Sequence, residues 1–117
     1  MATHVQEWIK VNAPVDANIA EMVSLLNTLN GLETLQSCQG DPGKTNGYVY
    51  FSFGGWQNLC RFVFDSVAPK LNSFLGEDVK LEVIAADQPM AKMSFSAAAT
   101  KQVTAALKEA VSSYERP

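Results

Sequence analysis

The chain has 117 residues, 47% hydrophobic and 18% charged, the size and make-up of one globular domain, which excludes a disordered chain. Nine basic against twelve acidic side chains leave a net charge of −3 with the signs interspersed, which argues against nucleic acid and membrane partners. No apolar run approaches the ~20 residues of a membrane span, and Met1 to Val11 holds His4, Glu7 and Lys10 instead of a signal-peptide core. A cytoplasmic protein is expected, with Cys38 and Cys60 as free thiols.

In chain order, Trp8 to Val11 alternates as a first strand that ends at Pro14. Asp16 is the expected N-cap of a helix over Ala17 to Asn30. Its apolar residues Ile19, Met22, Val23, Leu26 and Leu29 share one face, and Gly31 is its stop. Leu32 to Cys38 reads as a second strand, and Gly40-Asp41-Pro42-Gly43 as the turn that sends the chain back. Tyr48 to Phe53 is the return strand, ended by Gly54-Gly55. Trp56 to Leu75 then has helical spacing through Leu59, Phe62, Val63, Val67, Leu71 and Phe74, with a kink or two short helices expected at Pro69 and Gly76 as terminator. Val79, Leu81, Val83 and Ala85 alternate with Lys80, Glu82 and Ile84 as a fourth strand.

This β-α-β-β-α-β order predicts a single α+β domain over residues 1–117, a ferredoxin-like sandwich of four antiparallel strands with two helices on one face. An added C-terminal strand and helix complete it. The strand is Pro89 to Phe95. The helix, capped by Ser96, carries Ala99, Val103, Ala106, Leu107, Ala110, Val111 and Tyr114 on its apolar side.

Strand alternation assigns Val49, Phe51 and Phe53 to the face under the helices and Tyr48, Tyr50 and Ser52 to the other. If Ile9 and Val11 join the core face, Trp8 falls beside the two tyrosines. An aromatic face needs a cover, and the C-terminal helix or a second copy in a homodimer is the first reading. A groove for a small ligand or peptide is the second. Base stacking is the third. Asn46 to Phe53 resembles the aromatic octapeptide of RNA-recognition motifs, with Asn46 in place of the base, Val49 of the small residue and Phe51 of the valine. From Thr45 to Cys60 there is no charged residue, so a surface that tracks phosphates is missing.

Gly43-Lys44-Thr45 matches the end of a phosphate-binding loop. The glycine required five positions earlier is Cys38, however, and a strand follows where a helix is needed, so a hairpin turn is expected. Two cysteines and the remote His4 match no zinc pattern; no metal or cofactor is expected. Cys38, at a strand end beside Ser37 and before Gly40, stands in one setting that stabilises a thiolate, but cysteine is among the residues most often simply buried and no partner base is evident, so a structural thiol or pocket rim is the leading reading.

From the first helix through Thr34-x-x-Ser37-Cys38-x-Gly40 to the Tyr48 strand, roughly Met22 to Phe53, the chain resembles small uncharacterised microbial proteins. More distantly it resembles the Ser-Cys-x-Gly segment of wybutosine-synthesis methyltransferases that act on transfer RNA. Asp41 stands where that family has a basic residue, and its cofactor-binding features do not map. The leading reading is therefore a non-enzymatic binding or assembly module, acting as a homodimer, with Trp8, Tyr48, Tyr50 and Cys38 as binding residues. The alternative is a small thiol-dependent or RNA-modifying enzyme with Cys38 as its catalytic residue.

Overall fold

Val49, Phe51 and Phe53 belong to the core: each is at most 4% exposed, and together they form the apolar side of one strand. A computed structural model describes residues 6–8, 14–41, 43–72 and 78–115. The strands are β1 (Gln6–Trp8), β2 (Pro14–Asp16), β3 (Leu32–Cys38), β4 (Gly47–Phe53), β5 (Val79–Ile84) and β6 (Met90–Phe95). The helices are α1 (Ala20–Leu26), α2 (Trp56–Cys60), α3 (Ala68–Leu71) and α4 (Thr100–Glu115); a π-helical segment, Arg61–Val67, joins α2 to α3.

The α+β class holds, with a four-stranded antiparallel sheet in the order β3-β4-β6-β5. The ferredoxin-like connection does not emerge. The slot beside β4 that it reserves for the first strand is filled by β6, while among the described residues β1 pairs with β2 alone, in a separate two-stranded sheet. Two physical reasons favour β6. It follows β5 after a short connection, so closing the hairpin costs little chain entropy, and its alternate residues Ala91, Met93 and Phe95 are at most 1% exposed, a continuous apolar stripe. The expected first strand offered only Ile9 and Val11, which lie outside the described residues. The terminal strand is thus a central strand of the sheet rather than an addition to it.

Among the described residues every helix packs on the same sheet face. Ile19, Met22, Val23 and Leu26 of the first helical stretch, Phe62, Val63 and Val67 of the π segment, and Val103, Leu107 and Ala110 of α4 join the β4 and β6 side chains in one core. Four rings tie the layers together. Phe62 meets Phe51 at 5.9 Å and Phe53 at 5.6 Å, and Tyr114 meets Phe53 at 5.3 Å and Phe62 at 5.4 Å. The C-terminal helix therefore does not cover the tyrosine face. Its alanines let it lie close against α1, and Val103, Leu107, Val111 and Tyr114 fill what remains of the core.

Local chemistry departs from expectation at two helix ends, Asp16 and Ser96, while the break expected near Pro69 takes the form of two short helices, α2 and α3, joined by the π-helical segment. The Asp16 carboxylate accepts the Gln39 backbone N–H at 3.1 Å and does not cap the helix, which opens with a 3₁₀ turn at Ala17–Ile19. Ser96 makes no cap hydrogen bond either: its hydroxyl lies 3.4 Å from the Asp78 carboxylate. Pro69 sits in the first turn of α3, where its missing N–H is tolerated. The irregularity falls upstream of it, in the Arg61–Val67 widening. A proline at 69 cannot donate to the Asp65 carbonyl and its ring presses on that carbonyl, so the preceding turns open to i→i+5 bonding.

The Ser-Cys-x-Gly segment has a structural explanation. Gly40 is buried with φ +74°, and a Cβ there would lie 2.6 Å from the Asn46 carbonyl carbon and the Gly47 nitrogen. Gly47 in turn has the Phe95 ring where its own Cβ would be. The two glycines let the ends of the β3–β4 connection touch backbone to backbone. Between them Asp41 accepts N–H groups of Lys44 and Thr45 at 2.9 and 3.0 Å, so Gly43-Lys44-Thr45 is part of a closed turn.

Candidate functional site

Residues directly opposite in an antiparallel ladder share a face. The register sets Cys38, Tyr48, Ser94 and Lys80 in one row across the sheet, and Gln36, Tyr50, Lys92 and Glu82 in the next. This is the face opposite the helices. Strict alternation from buried Leu32 would carry Gln36 and Cys38 to the core side. Leu35 is an extra residue in β3, a bulge between the Thr34–Phe51 and Gln36–Tyr50 pairs, and it moves both onto the open face. Asn27 secures that point: its side-chain amide donates to the Thr34 hydroxyl at 2.9 Å and to the Val23 carbonyl at 2.8 Å, joining the end of α1 to β3.

The Tyr48 and Tyr50 rings meet edge to face, with centroids 5.6 Å apart and planes at 80°. Lys92 arches over both, its ammonium 5.9 Å from the Tyr48 centroid and 5.3 Å from that of Tyr50, within cation–π range. Ser52, the next residue on this face, is buried at 5% exposure, and its hydroxyl accepts the Gln88 amide at 3.2 Å. Lys80 and Lys92 are balanced by Glu33 and Glu82, so the face is close to neutral. A cleft of about 480 Å³ lies toward the β5 side, lined by Asn46, Asp78, Lys80, Glu82, Lys92 and Ser94; it shares Lys92 with the tyrosine cluster, and neither tyrosine lines it. That volume lies in the range of small-ligand pockets, roughly 300–1,000 Å³.

Of the residues expected to form the site, Tyr48, Tyr50 and Cys38 are brought together. Trp8 is not placed with them by strand pairing. It belongs to β1, opposite Pro14, and the neighbours of β4 are β3 and β6. Cys38 is half-buried at the end of β3, opposite Tyr48 in the ladder. The one histidine that could serve it as a base, His4, lies outside the described residues. Sequence reasoning missed Lys92. Its signal was the alternation of Ala91, Met93 and Phe95, which sends Lys92 to the other face once β6 is a central strand. It also missed Trp56 and Phe64, 48% and 57% exposed, which flank Cys60 and Arg61 on the outer side of α2 and the π segment.

Among the described residues no group of three or more His, Cys, Asp or Glu side chains is placed to hold a metal ion. No helix among them is long and apolar enough to cross a membrane. No family model, no curated protein and no solved structure matches the chain.

Proposed function

We propose that this chain is a small binding and assembly module that works as a homodimer, and that its recognition surface is the open sheet face. One observation carries the reading: with the helices of the described residues all on the opposite side, Tyr48 and Tyr50 stand half-exposed in contact with each other and with Lys92. Tyrosine pairs offer large, stiff contact area at low entropic cost, and a lysine beside them selects for a negative group. A flat apolar or aromatic body laid on the rings, with an anionic end toward Lys92, fits that chemistry. A small ligand and the side chains of a peptide both provide it.

Anilinonaphthalene sulfonate is a probe of that kind. The folded protein should enhance its fluorescence, and Tyr50→Glu should remove the enhancement while the protein still melts cooperatively, with the melting temperature lowered only by the loss of one half-exposed ring's contacts with Tyr48 and Lys92. Enhancement that survives Tyr50→Glu would put the dye elsewhere, for instance between Trp56 and Phe64, and the open face would lose its role.

A further inference from the structure

The two edges of the four-stranded sheet are built differently. β3 is blunted by the Leu35 bulge and is approached by β2. β5 pairs with β6 without interruption from Val79 to Ile84, and among the described residues it has a strand neighbour on that side only. Its residues alternate regularly: Lys80, Glu82 and Ile84 face the open side, while Val79, Leu81 and Val83 face the core. Val79 is buried, and Leu81 and Val83 are only partly so, leaving the rim of the core open at this edge. A regular, uninterrupted edge of this kind is a template for another strand, and Lys80 and Glu82, which guard it against unrelated strands, restrict it to one that offers the complementary charges.

We infer that the β5 edge is the seam of a twofold homodimer, in which β5 pairs antiparallel with β5 of a second copy about Leu81 and the two sheets become one. This rests on the homodimer part of the proposed function. The charges choose both the partner and the register. A twofold axis through Leu81 sets Lys80 opposite the partner's Glu82 and Glu82 opposite the partner's Lys80, all on the open face. On the core face Leu81 meets the partner's Leu81, and Val79 meets the partner's Val83, closing the rim. Centring the axis on Glu82 or Lys80 would oppose like charges.

Lys80 and Glu82 are free to do this. Neither has an ion pair among the described residues, because Lys92, the cross-strand neighbour of Glu82, is committed to the tyrosine rings. The seam also sets the two open faces side by side, so a ligand or peptide that extends past one face continues onto the next.

Light scattering and sedimentation on the full chain test the register directly. The parent should show twice the 12.7 kDa chain mass at micromolar concentration. Lys80→Glu and Glu82→Lys each turn two attractive pairs into repulsive ones, and each alone should weaken dimerisation about tenfold or more, the effect expected of opposed like charges in neighbouring strands. Mixed in equal amounts, the two variants should recover parental affinity as a heterodimer, because every glutamate then faces a lysine. Tyr50→Glu, two strands from the seam, should leave the dimer intact.

A parent that dimerises regardless of either charge change, or that Tyr50→Glu dissociates, overturns the seam and leaves the homodimer standing. A parent that remains monomeric at high concentration overturns the seam and the homodimer together, and recognition by the open face is still decided by the dye.

Discussion

Lys92 stands directly across from Glu82 in the β5–β6 ladder, yet its ammonium is turned to the other side, 5.3 Å from the centroid of the Tyr50 ring. Lys92→Met keeps most of the aliphatic stem and removes the charge. It should cost about 0.5–1 kcal/mol, the worth of an exposed cation–π contact. Chemical denaturation measures this, and an unchanged midpoint would mean that the ammonium is solvated and the rings are held by packing alone.

Phe51 is 1% exposed and touches the Phe62 ring. Phe51→Ala should destabilise the fold by about 3–5 kcal/mol, because the cavity lies between sheet and helices where neither can collapse freely. A parental urea midpoint would show that the two sheet faces have been assigned the wrong way round.

Gly40→Ala tests the explanation given for the Ser-Cys-x-Gly segment. A Cβ at φ +74° with backbone atoms at 2.6 Å should cost more than the ~1–2 kcal/mol of left-handed strain alone. Gly43→Ala has a similar φ and nothing within 4 Å, so it should cost only that strain. Equal losses in the two variants would remove the close-approach argument.

Single-stranded RNA should not bind in a salt-sensitive way at physiological ionic strength. Lys80 and Lys92 on the open face are matched by Glu33 and Glu82, and the strand that carries the tyrosines has no charge. Fluorescence anisotropy with a labelled oligonucleotide gives the answer: micromolar affinity that falls steeply with added salt would revive the likeness of Asn46 to Phe53 to an RNA-recognition strand.

The enzyme alternative stands or falls with Cys38. The binding reading expects its alkylation by iodoacetamide at neutral pH to run no faster than that of a free-cysteine peptide, since the thiol is half-buried and its described neighbours across the ladder and in sequence are Tyr48, Ser37 and Gln39. Alkylation many times faster than the peptide's, lost in Cys38→Ser, would favour a thiol-dependent enzyme.

Most local structure was legible in the residues. The spacing of Ile19, Met22, Val23, Leu26 and Leu29 located one buried helix face, and that of Val103, Leu107, Ala110 and Val111 located another. Alternation in Tyr48 to Phe53 separated core from open face correctly, because a side-chain period of two is a property of the strand itself and needs no partner. Glycine at positions 31, 54 and 55, each with positive φ, marked where elements stop.

What the tertiary structure alone decided is which strands are neighbours and therefore what shares a face. Periodicity found the segments at Trp8 and at Met90 alike, and it carried no information about which would lie beside β4. That choice went to β6, through a short connection and a stripe of Ala91, Met93 and Phe95 that fits the core. It put Lys92 in the place expected for Trp8. Cys38 shows the same limit from inside a strand: its face depends on whether Leu35 is counted in the ladder, and a bulge is decided by the partner strand and by Asn27 across the gap, not by alternation in β3.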